Sequence, residues 1–467
     1  MFVAVIGLKV DGHAFIPSAI AAGARYVIVQ QDLRDSWQRY VNEDVSFIAV
    51  PDSRVALAEA SAGFYRTPAR TLGMIGVTGT DGKTTTTHLI AHIFNESGLR
   101  AGYLSSVEFA VGSAVETNAT HMTTIEAPDI QRYLAQIHDA GGRYAVVEAS
   151  SIGLAMHRVD QCEFDVGVFT NLSPDHLDFH GSMAEYRDAK AILFRMLGTS
   201  AEKEFGKAAI LNADDSVSAD IRSVSIVPII TYGVRSPADI TGSGITQSGF
   251  GTQFKAKMFG EEIDVAMSLL GDYNVSNCLA AAATAVSQGV EFREALAALA
   301  TFPGVPGRME LIDEGQPFRV VVDIASTEQA MRNVLRMLRP ITRGKLIVMF
   351  GAAGERDAAR RRGIARAVAE FADHAVITNE DPRGEDPGLI LDEIAGALKS
   401  AGFGRKFDRE FDRRQAMAKA FERAGKDDTV LLAGKGTEQS IVIGTTHWPW
   451  DERRIAHELL LDAKGGI

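Results

Sequence analysis

Cysteine is nearly absent from this chain. Its 467 residues include two, Cys162 and Cys278, which excludes a disulfide framework and suits a reducing compartment. Long apolar runs are missing as well, and none approaches the ~20 residues that a membrane-spanning helix needs. The opening stretch Met1–Gly7 carries no basic leader and reads as a strand rather than a signal peptide, so the expected location is the cytoplasm. Basic residues are outnumbered, 48 against 60 acidic ones, for a net charge of −12. That balance argues against a nucleic-acid backbone as partner, while a small anionic substrate in a local cationic site remains compatible with it. No repeat with a period of about 20–50 residues is present, and there is no low-complexity tract.

What is present is ordinary material for a globular protein: 46% hydrophobic and 23% charged, with length for about three domains. Residues 1–67 hold short β-rich runs (Phe2–Ile6, Tyr26–Gln30, Ser46–Val50) separated by helical patterns, as in a small α/β domain. Pro68 and Thr71–Gly73 mark a linker. Residues 68–303 begin with a strand, Leu72–Thr78, then a glycine turn and a helix whose face is Leu89, Ile90, Ile93 and Phe94 and which Gly98 stops. Further buried strands are expected at Tyr144–Val147, Val166–Thr170 and Ala208–Asn212, so the sheet is mostly parallel. Residues 235–269, with glycines at 242, 244, 249, 251 and 260, read as antiparallel hairpins. Phe302-Pro303-Gly304-Val305-Pro306-Gly307 is the clearest linker. Residues 304–467 alternate again, with strands at Phe318–Val322, Leu346–Phe350, Ala375–Thr378 and Thr429–Ala433 and helices near 327–339, 358–372, 388–399 and 413–424. The expected fold is α/β in three domains: a small N-terminal α/β domain, a central P-loop ATPase with a parallel sheet, and a C-terminal Rossmann-like domain.

Gly76-Val77-Thr78-Gly79-Thr80-Asp81-Gly82-Lys83-Thr84-Thr85 follows a buried strand and opens a helix, the context a P-loop requires. Backbone N–H groups at the helix start face the phosphates. Lys83 neutralises charge on the β- and γ-phosphates, the Thr84 hydroxyl suits magnesium, and Gly79 and Gly82 permit the tight curvature. Gly79, Thr80, Asp81, Gly82, Lys83, Thr84 and Thr85 are therefore the expected nucleotide-binding set.

A second block reads Val168-Phe169-Thr170-Asn171-Leu172, Asp175-His176-Leu177-Asp178 and His180-Gly181-Ser182. It continues into Tyr186-Arg187-Asp188-Ala189-Lys190-Ala191-Ile192-Leu193-Phe194. Together with Thr78–Thr85, this block resembles the Mur ligases, nearest their UDP-N-acetylmuramoyl-tripeptide synthetase (MurE) branch, and the resemblance spans almost the whole chain. The resemblance implies that Lys190 is carbamylated by CO2, turning an amine into an anionic two-oxygen ligand. It implies that Glu148, His176 and the modified Lys190 hold a second magnesium beside the one at Thr84. Each alone has a plain structural reading: a solvated helix lysine for Lys190, a core histidine for His176, a buried ion pair for Glu148. Ser150, Ser151 and Arg158 match the segment that holds the muramoyl peptide, and Thr123 and Thr124 match a substrate-contacting loop. Capping is an equal reading of the two threonines. Asn274 matches the adenine-side amide, with a turn ahead of a helix at 277–288 as its structural alternative. Arg308 and Asp323 match nucleotide contacts at and beyond the domain junction. Glu380, Asp381, Pro382, Arg383, Gly434 and Glu438 match the amino-acid pocket.

The chain departs from the family pattern in several places. Ile152 and Ser326 stand where histidine is usual, Ile125 where proline follows the threonines, Arg360 where lysine is usual and Thr437 where histidine is common. Phe2–Ile16 resembles the interior of the uridine-binding domain rather than its beginning. The implied reaction uses ATP and two magnesium ions to turn a carboxylate of UDP-MurNAc-L-Ala-D-Glu into an acyl phosphate, which a free amino acid then attacks. A monomer is expected. MurE enzymes selecting meso-diaminopimelate usually carry Asp-Asn-Pro-Arg where this chain has Glu380-Asp381-Pro382-Arg383. A carboxylate at 381 repels a distal carboxylate and attracts a distal ammonium, so L-lysine or L-ornithine is expected ahead of diaminopimelate. The alternatives are a folylpolyglutamate synthetase-like or other Mur-type amide ligase, and a catalytically weakened homologue serving as a binding subunit.

Overall fold

The computed structural model describes the chain apart from Leu8, Lys9, Asn42, His121, Gly249, Phe250, Gly466 and Ile467, and apart from the side chains at 248, 464 and 465. Gly249, one of the glycines of the expected hairpins, thus lies outside the described residues. The chain forms two compact units. One comprises 1–244, 254–265 and 272–302, the other 303–467 with 245–253 and 266–271.

In the first unit a small parallel sheet is ordered Phe2–Val3, Tyr26–Gln30, Ser46–Val50. It buries Val27 and Val29 against Ala4, Ile16, Trp37 and Val45. The helix Ser53–Phe64 follows, started by Asp52, whose carboxylate accepts from the N–H groups of Arg54 and Val55.

The large sheet, eleven-stranded among the described residues, has a parallel centre ordered Ile229–Gly233, Ala208–Asn212, Val166–Phe169, Gly73–Thr78, Tyr144–Glu148, Ala101–Leu104. The inner four of these strands are mostly apolar and buried, as in a parallel sheet covered on both faces, and Gly73–Thr78 is buried throughout. Gly76 lets the helix Met183–Leu197 lie close on that strand, since a Cβ there would stand 2.6 Å from Leu193 Cδ1. Successive strands leave Gly73–Thr78 on opposite sides, which makes it the topological switch point. In open α/β sheets ligands bind at the carboxyl ends of the strands there. Three chain segments emerge at those ends: the loop 79–82, Glu148, and Thr170 onward.

The second unit has its own sheet, ordered Glu310–Ile312, Arg319–Asp323, Thr429–Ala433, Leu346–Phe350, His374–Ile377, Phe407–Arg409. Its first pair is antiparallel and the rest are parallel. The helices Glu328–Ile341, Ala358–Phe371 and Pro387–Ser400 pack on one face, and Arg413–Arg423 and Glu452–Gly465 on the other. No described helix is long and apolar enough to cross a membrane.

Candidate active site

The glycine loop is built so that other residues cannot replace its glycines. Gly79 has φ +147°, and a Cβ on it would fall 1.8 Å from Thr170 Oγ1. Gly82 has φ +83°, and its Cβ would fall 2.4 Å from Asn277 Oδ1. The loop is clamped from the next strand. Thr170 Oγ1 donates to Asp81 O (2.6 Å), Asp81 N donates to Asn171 Oδ1 (2.9 Å), and Thr80 N donates to Asn171 O (2.9 Å). The Thr170-Asn171 pair of the second sequence block therefore fixes the shape of the phosphate loop. Gly82 starts the helix Lys83–Glu96 with no side-chain cap, so no cap side chain competes with a phosphate for the first-turn amides. Lys83 Nζ donates to the carbonyls of Gly79 (3.2 Å) and Thr80 (2.8 Å). Thr85 lies half-buried in the first turn.

Thr84 and Glu148 meet through a residue that the sequence did not single out. Ser106 lies in the loop after Ala101–Leu104. Its hydroxyl is 2.9 Å from Thr84 Oγ1, and its N–H donates to Glu148 Oε1 at 3.1 Å. The other carboxylate oxygen, Glu148 Oε2, is buried without a hydrogen-bond partner. A hydroxyl and an unpaired carboxylate oxygen beside a phosphate loop are the hard donors that magnesium takes, so these residues fit the ion.

Lys190 is buried, and its amine donates to Gly79 O at 2.6 Å. Burial first, and then the charge of Lys83, bring it down to about 6. Its Nζ lies over the Tyr186 ring, 4.2 Å from the centroid, and Tyr186 OH is 3.1 Å from Thr80 Oγ1. Tyr186 thus ties lysine and loop together. His176 has φ +51° and stands just ahead of the short helix Leu177–His180, half exposed, with Nε2 3.3 Å from Asp175. It is not the core histidine of its plain reading. Among the described residues no group of three His, Cys, Asp or Glu side chains is gathered to hold a metal, so Glu148 and His176 do not form such a set by themselves.

The residues matched to the peptide segment form a chain of bonds. The Thr124 hydroxyl donates to Glu148 O (2.7 Å) and lies 3.0 Å from Ser150 Oγ, while Ser150 N donates back to Thr124. Ser151 is buried, with its hydroxyl 2.9 Å from His180 Nε2. The hydroxyls of Thr124 and Ser151, expected as substrate donors, are therefore engaged inside the protein, where they shape the segment instead. Ser150 caps the helix Ser151–Ala155 by accepting from Gly153 N, and Thr123 is half-buried. Arg158 donates to Thr124 O (2.9 Å) and pairs with Glu126 (2.9 Å), which also meets Arg54 (3.4 Å). Asn274 is not in a turn. The helix starts at Asp272 and runs to Ser287, placing Asn274 buried in its first turn, where its Oδ1 accepts from Asn277 Nδ2. Asn277 Oδ1 in turn accepts from the Thr86 hydroxyl.

In the second unit Asp323 ends a buried strand, and its carboxylate accepts from the N–H groups of Met309 and Ala325, both at 2.8 Å. Met309 follows Arg308 directly. Glu380, Asp381, Pro382, Gly434 and Glu438 converge. A Cβ on Gly434 would stand 2.9 Å from Glu380 Oε2, and burial pushes the Glu380 carboxyl up to about 7. The loop 351–354 packs on the same segment, since a Cβ on Gly354 would fall 2.0 Å from Pro382 O. Asp381 corrects an expectation. Its Oδ1 accepts from Lys435 Nζ (2.8 Å) and Val442 N (2.9 Å). Lys435 is fully buried and also pairs with Glu438 at 2.5 Å, so Asp381 shares one buried cation with Glu438 and is not the unpaired carboxylate that the sequence suggested. Arg383 has φ +53°, and its Nε is buried without a partner. Lys435 was visible as the lysine of Gly434-Lys435-Gly436, but nothing in the sequence showed that it faces Asp381.

Compared with known families, residues 77–285 match the Mur ligase middle domain, 307–436 the Mur ligase glutamate ligase domain, and 1–65 the Mur ligase family catalytic domain. The chain belongs to the Mur ligase family. A UDP-N-acetylmuramyl-tripeptide synthetase of Roseiflexus sp. (strain RS-1) is 41% identical over 99% of this chain and 92% of its own length. UDP-N-acetylmuramoyl-L-alanyl-D-glutamate–2,6-diaminopimelate ligases of Geobacillus kaustophilus and Bacillus velezensis are 38% and 37% identical, over 98% and 99% of this chain and 91% of their own lengths. A solved diaminopimelate ligase of the same name superposes with a TM-score of 0.69 at 28% identity, covering 97% of this chain and 90% of that one. A folylpolyglutamate synthase of Mycobacterium tuberculosis shares the fold at 16% identity, with a TM-score of 0.65 over 81% of this chain and 92% of its own. Mur ligases are ATP-dependent, ADP-forming ligases of peptidoglycan precursor synthesis.

Proposed function

We propose that this Mur ligase is a cytoplasmic monomer that adds a diamino acid, 2,6-diaminopimelate, to UDP-MurNAc-L-Ala-D-Glu at the expense of ATP. The observation that carries the reading is the buried amine of Lys190, held on the carbonyl of Gly79 at the switch point of the sheet. A mere packing residue has no use for an amine in that setting, whereas a lysine that is neutral near pH 7 can take up CO2. Its nitrogen lone pair forms the bond to carbon, one proton leaves, and the product is an anion beside the phosphate loop. Glu148 and His176 are the residues that would hold one magnesium with it, and the Thr84 hydroxyl, with Glu148 close by, would hold the other. Bound magnesium supplies charge stabilisation at the transferring phosphoryl group. Lys83 shares that role, Thr80–Thr85 cradle the phosphates, and Asn274 contacts the rest of the nucleotide; Arg308 and Asp323, in the second unit, carry the family's nucleotide-contact pattern. Ser150 and Arg158 hold the muramoyl peptide, with Thr123, Thr124 and Ser151 shaping the segment around it.

The cluster around Glu380–Arg383, Gly434 and Glu438 takes the amino acid. Two things support diaminopimelate over lysine or ornithine. Asp381 is ion-paired with the buried Lys435, and the guanidinium of Arg383 keeps a buried N–H for a distal carboxylate. The names of several relatives point the same way. The test is phosphate release with UDP-MurNAc-L-Ala-D-Glu in the presence of lysine, ornithine and meso-diaminopimelate together, with product masses read out. Products carrying diaminopimelate are expected, exclusive lysine or ornithine products would reverse the choice, and no amino-acid-dependent phosphate release would sink the ligase reading.

A further inference from the structure

We infer that Ser106 is a positioning residue for magnesium, presenting Glu148 and the Thr84 hydroxyl to the ion as one unit. The inference rests on the ATP-dependent ligase reading and concerns a residue outside every motif discussed above. The Ser106 N–H donates to Glu148 Oε1 at 3.1 Å, and its hydroxyl lies 3.4 Å from the same oxygen. Both bonds fall on Oε1, which opposes rotation of the carboxylate and leaves Oε2, buried and without a partner, as the oxygen for a metal. The Ser106 hydroxyl is also 2.9 Å from Thr84 Oγ1. One side chain therefore touches the Thr84 hydroxyl and the carboxylate whose other oxygen the ion would use.

The loop that carries Ser106 is pinned from the phosphate-binding helix itself. His88 lies one turn beyond Thr84, and its Nε2 is 3.1 Å from Ser105 Oγ. Ser105 Oγ accepts from the N–H groups of Val107 (3.2 Å) and Glu108 (3.1 Å), and Asn118 Nδ2 donates to Ser105 O (2.9 Å). The adjacent serines thus divide the work: Ser105 builds the turn, and Ser106 points from it into the cluster. Partners that orient a ligand without being replaced by it govern metal affinity through geometry.

The experiment measures ADP binding to the full-length protein by calorimetry while magnesium is titrated from EDTA, for wild type, Ser106→Ala and Ser106→Thr. Ser106→Ala should raise the magnesium concentration for half-maximal ADP binding about tenfold, and Ser106→Thr should bring it back to within about twofold of wild type. Thermal melting and ADP binding in EDTA should stay as in wild type. An unchanged magnesium requirement in Ser106→Ala overturns the inference, and so does an equal loss of ADP binding with and without magnesium. If alanine lowers the melting temperature, the threonine variant decides: a raised magnesium requirement there, despite a retained hydroxyl, also counts against it. ADP binding by the wild type that ignores magnesium would overturn the ligase reading itself.

Discussion

Replacing Arg413 by methionine tests how the amino-acid cluster is held together. Arg413 and Glu452 are both 0% exposed at their side chains. The guanidinium grips the carboxylate with two bonds, Nε to Oε2 at 2.8 Å and Nη2 to Oε1 at 2.7 Å. It also donates to Asn379 O (3.0 Å) and Ala433 O (2.8 Å). Burial works against its charge, but the carboxylates around it, Glu452 foremost with Glu380 and Glu438, together outweigh burial. Asn379 precedes Glu380 and Ala433 precedes Gly434, so a single side chain sets the spacing of the two halves of the cluster. Methionine keeps much of the apolar stem. It leaves the buried Glu452 with Trp450 Nε1 as a donor, at 2.7 Å, and strips a donor from two carbonyls. Breaking a buried pair costs about 3–5 kcal/mol. At ~2–4 °C per kcal/mol for a unit of roughly this size, the C-terminal transition should fall by ~6–20 °C. Calorimetry on the full chain measures this, and initial rates should show a raised KM for the amino acid with the KM for the UDP substrate unchanged. A fall of less than about 2 °C, well below that range, with an unchanged amino-acid KM would refute the reasoning.

Three further outcomes are expected. Lys83→Ala should lose phosphoryl transfer by roughly three orders of magnitude in phosphate release, and robust release from that variant would remove the phosphate loop from the chemistry. Lys190→Ala should be nearly inactive and regain part of its rate with a short carboxylic acid that fills the vacated anionic place; an acid-independent, wild-type rate would exclude the carbamate. Glu380 is pushed up by burial from 4.5 to about 7, so between those values the folded protein keeps a proton that the unfolded chain has released, and stability falls as pH rises by up to about 3 kcal/mol. Glu380→Gln should therefore melt progressively higher relative to wild type from about pH 5 to about pH 7.5, and a gap that does not change with pH would contradict the burial argument.

Continuous apolar runs announced their strands, both where they are buried throughout, as at Ala208–Asn212, and where they are largely exposed, as at Ser46–Val50. Tyr26–Gln30, Ser46–Val50, Ala208–Asn212, Leu346–Phe350 and Thr429–Ala433 were read with their observed bounds, because a continuous apolar run between turn residues has few other homes. Ala101–Leu104 and Ile229–Gly233 passed unread: both are short and interrupted by glycine or threonine, and only pairing in the sheet makes them strands. The helix at Asp272 was placed five residues late, because Gly271-Asp272-Tyr273-Asn274 carries turn residues that the structure uses as a helix start. The phosphate loop was legible because its glycines are required by φ and by close approach, constraints local to the chain. Ser106 and Lys435 were not, because their importance lies in partners 42 and 54 residues away. The charge at Asp381 was read correctly as a charge. What sequence could not supply was the buried lysine that answers it.

The departures from the family pattern bear on whether this chain is a weakened homologue. If selection on catalysis had lapsed, unusual residues would be expected to stand alone. Two of them do not. Ser326, where histidine is usual, and Arg360, where lysine is usual, are in direct contact: Arg360 Nε donates to Ser326 O at 2.5 Å, and Arg360 Nη2 donates to Ser326 Oγ at 2.8 Å. A shorter residue at 326 makes room for the longer cation at 360, and the guanidinium's fork lets it hold the serine with two bonds where an ammonium would present a point charge. Arg360 also lies close enough to Glu380 to favour its ionised form, which keeps a positive charge beside the amino-acid cluster. The neutral-amine setting of Lys190 argues in the same direction. Burying a lysine costs stability unless its charge is surrendered, and a chain released from catalysis would gain by replacing it with leucine or methionine. This chain retains Lys190 at 1% exposure, against the phosphate loop, as the proposed carbamate needs.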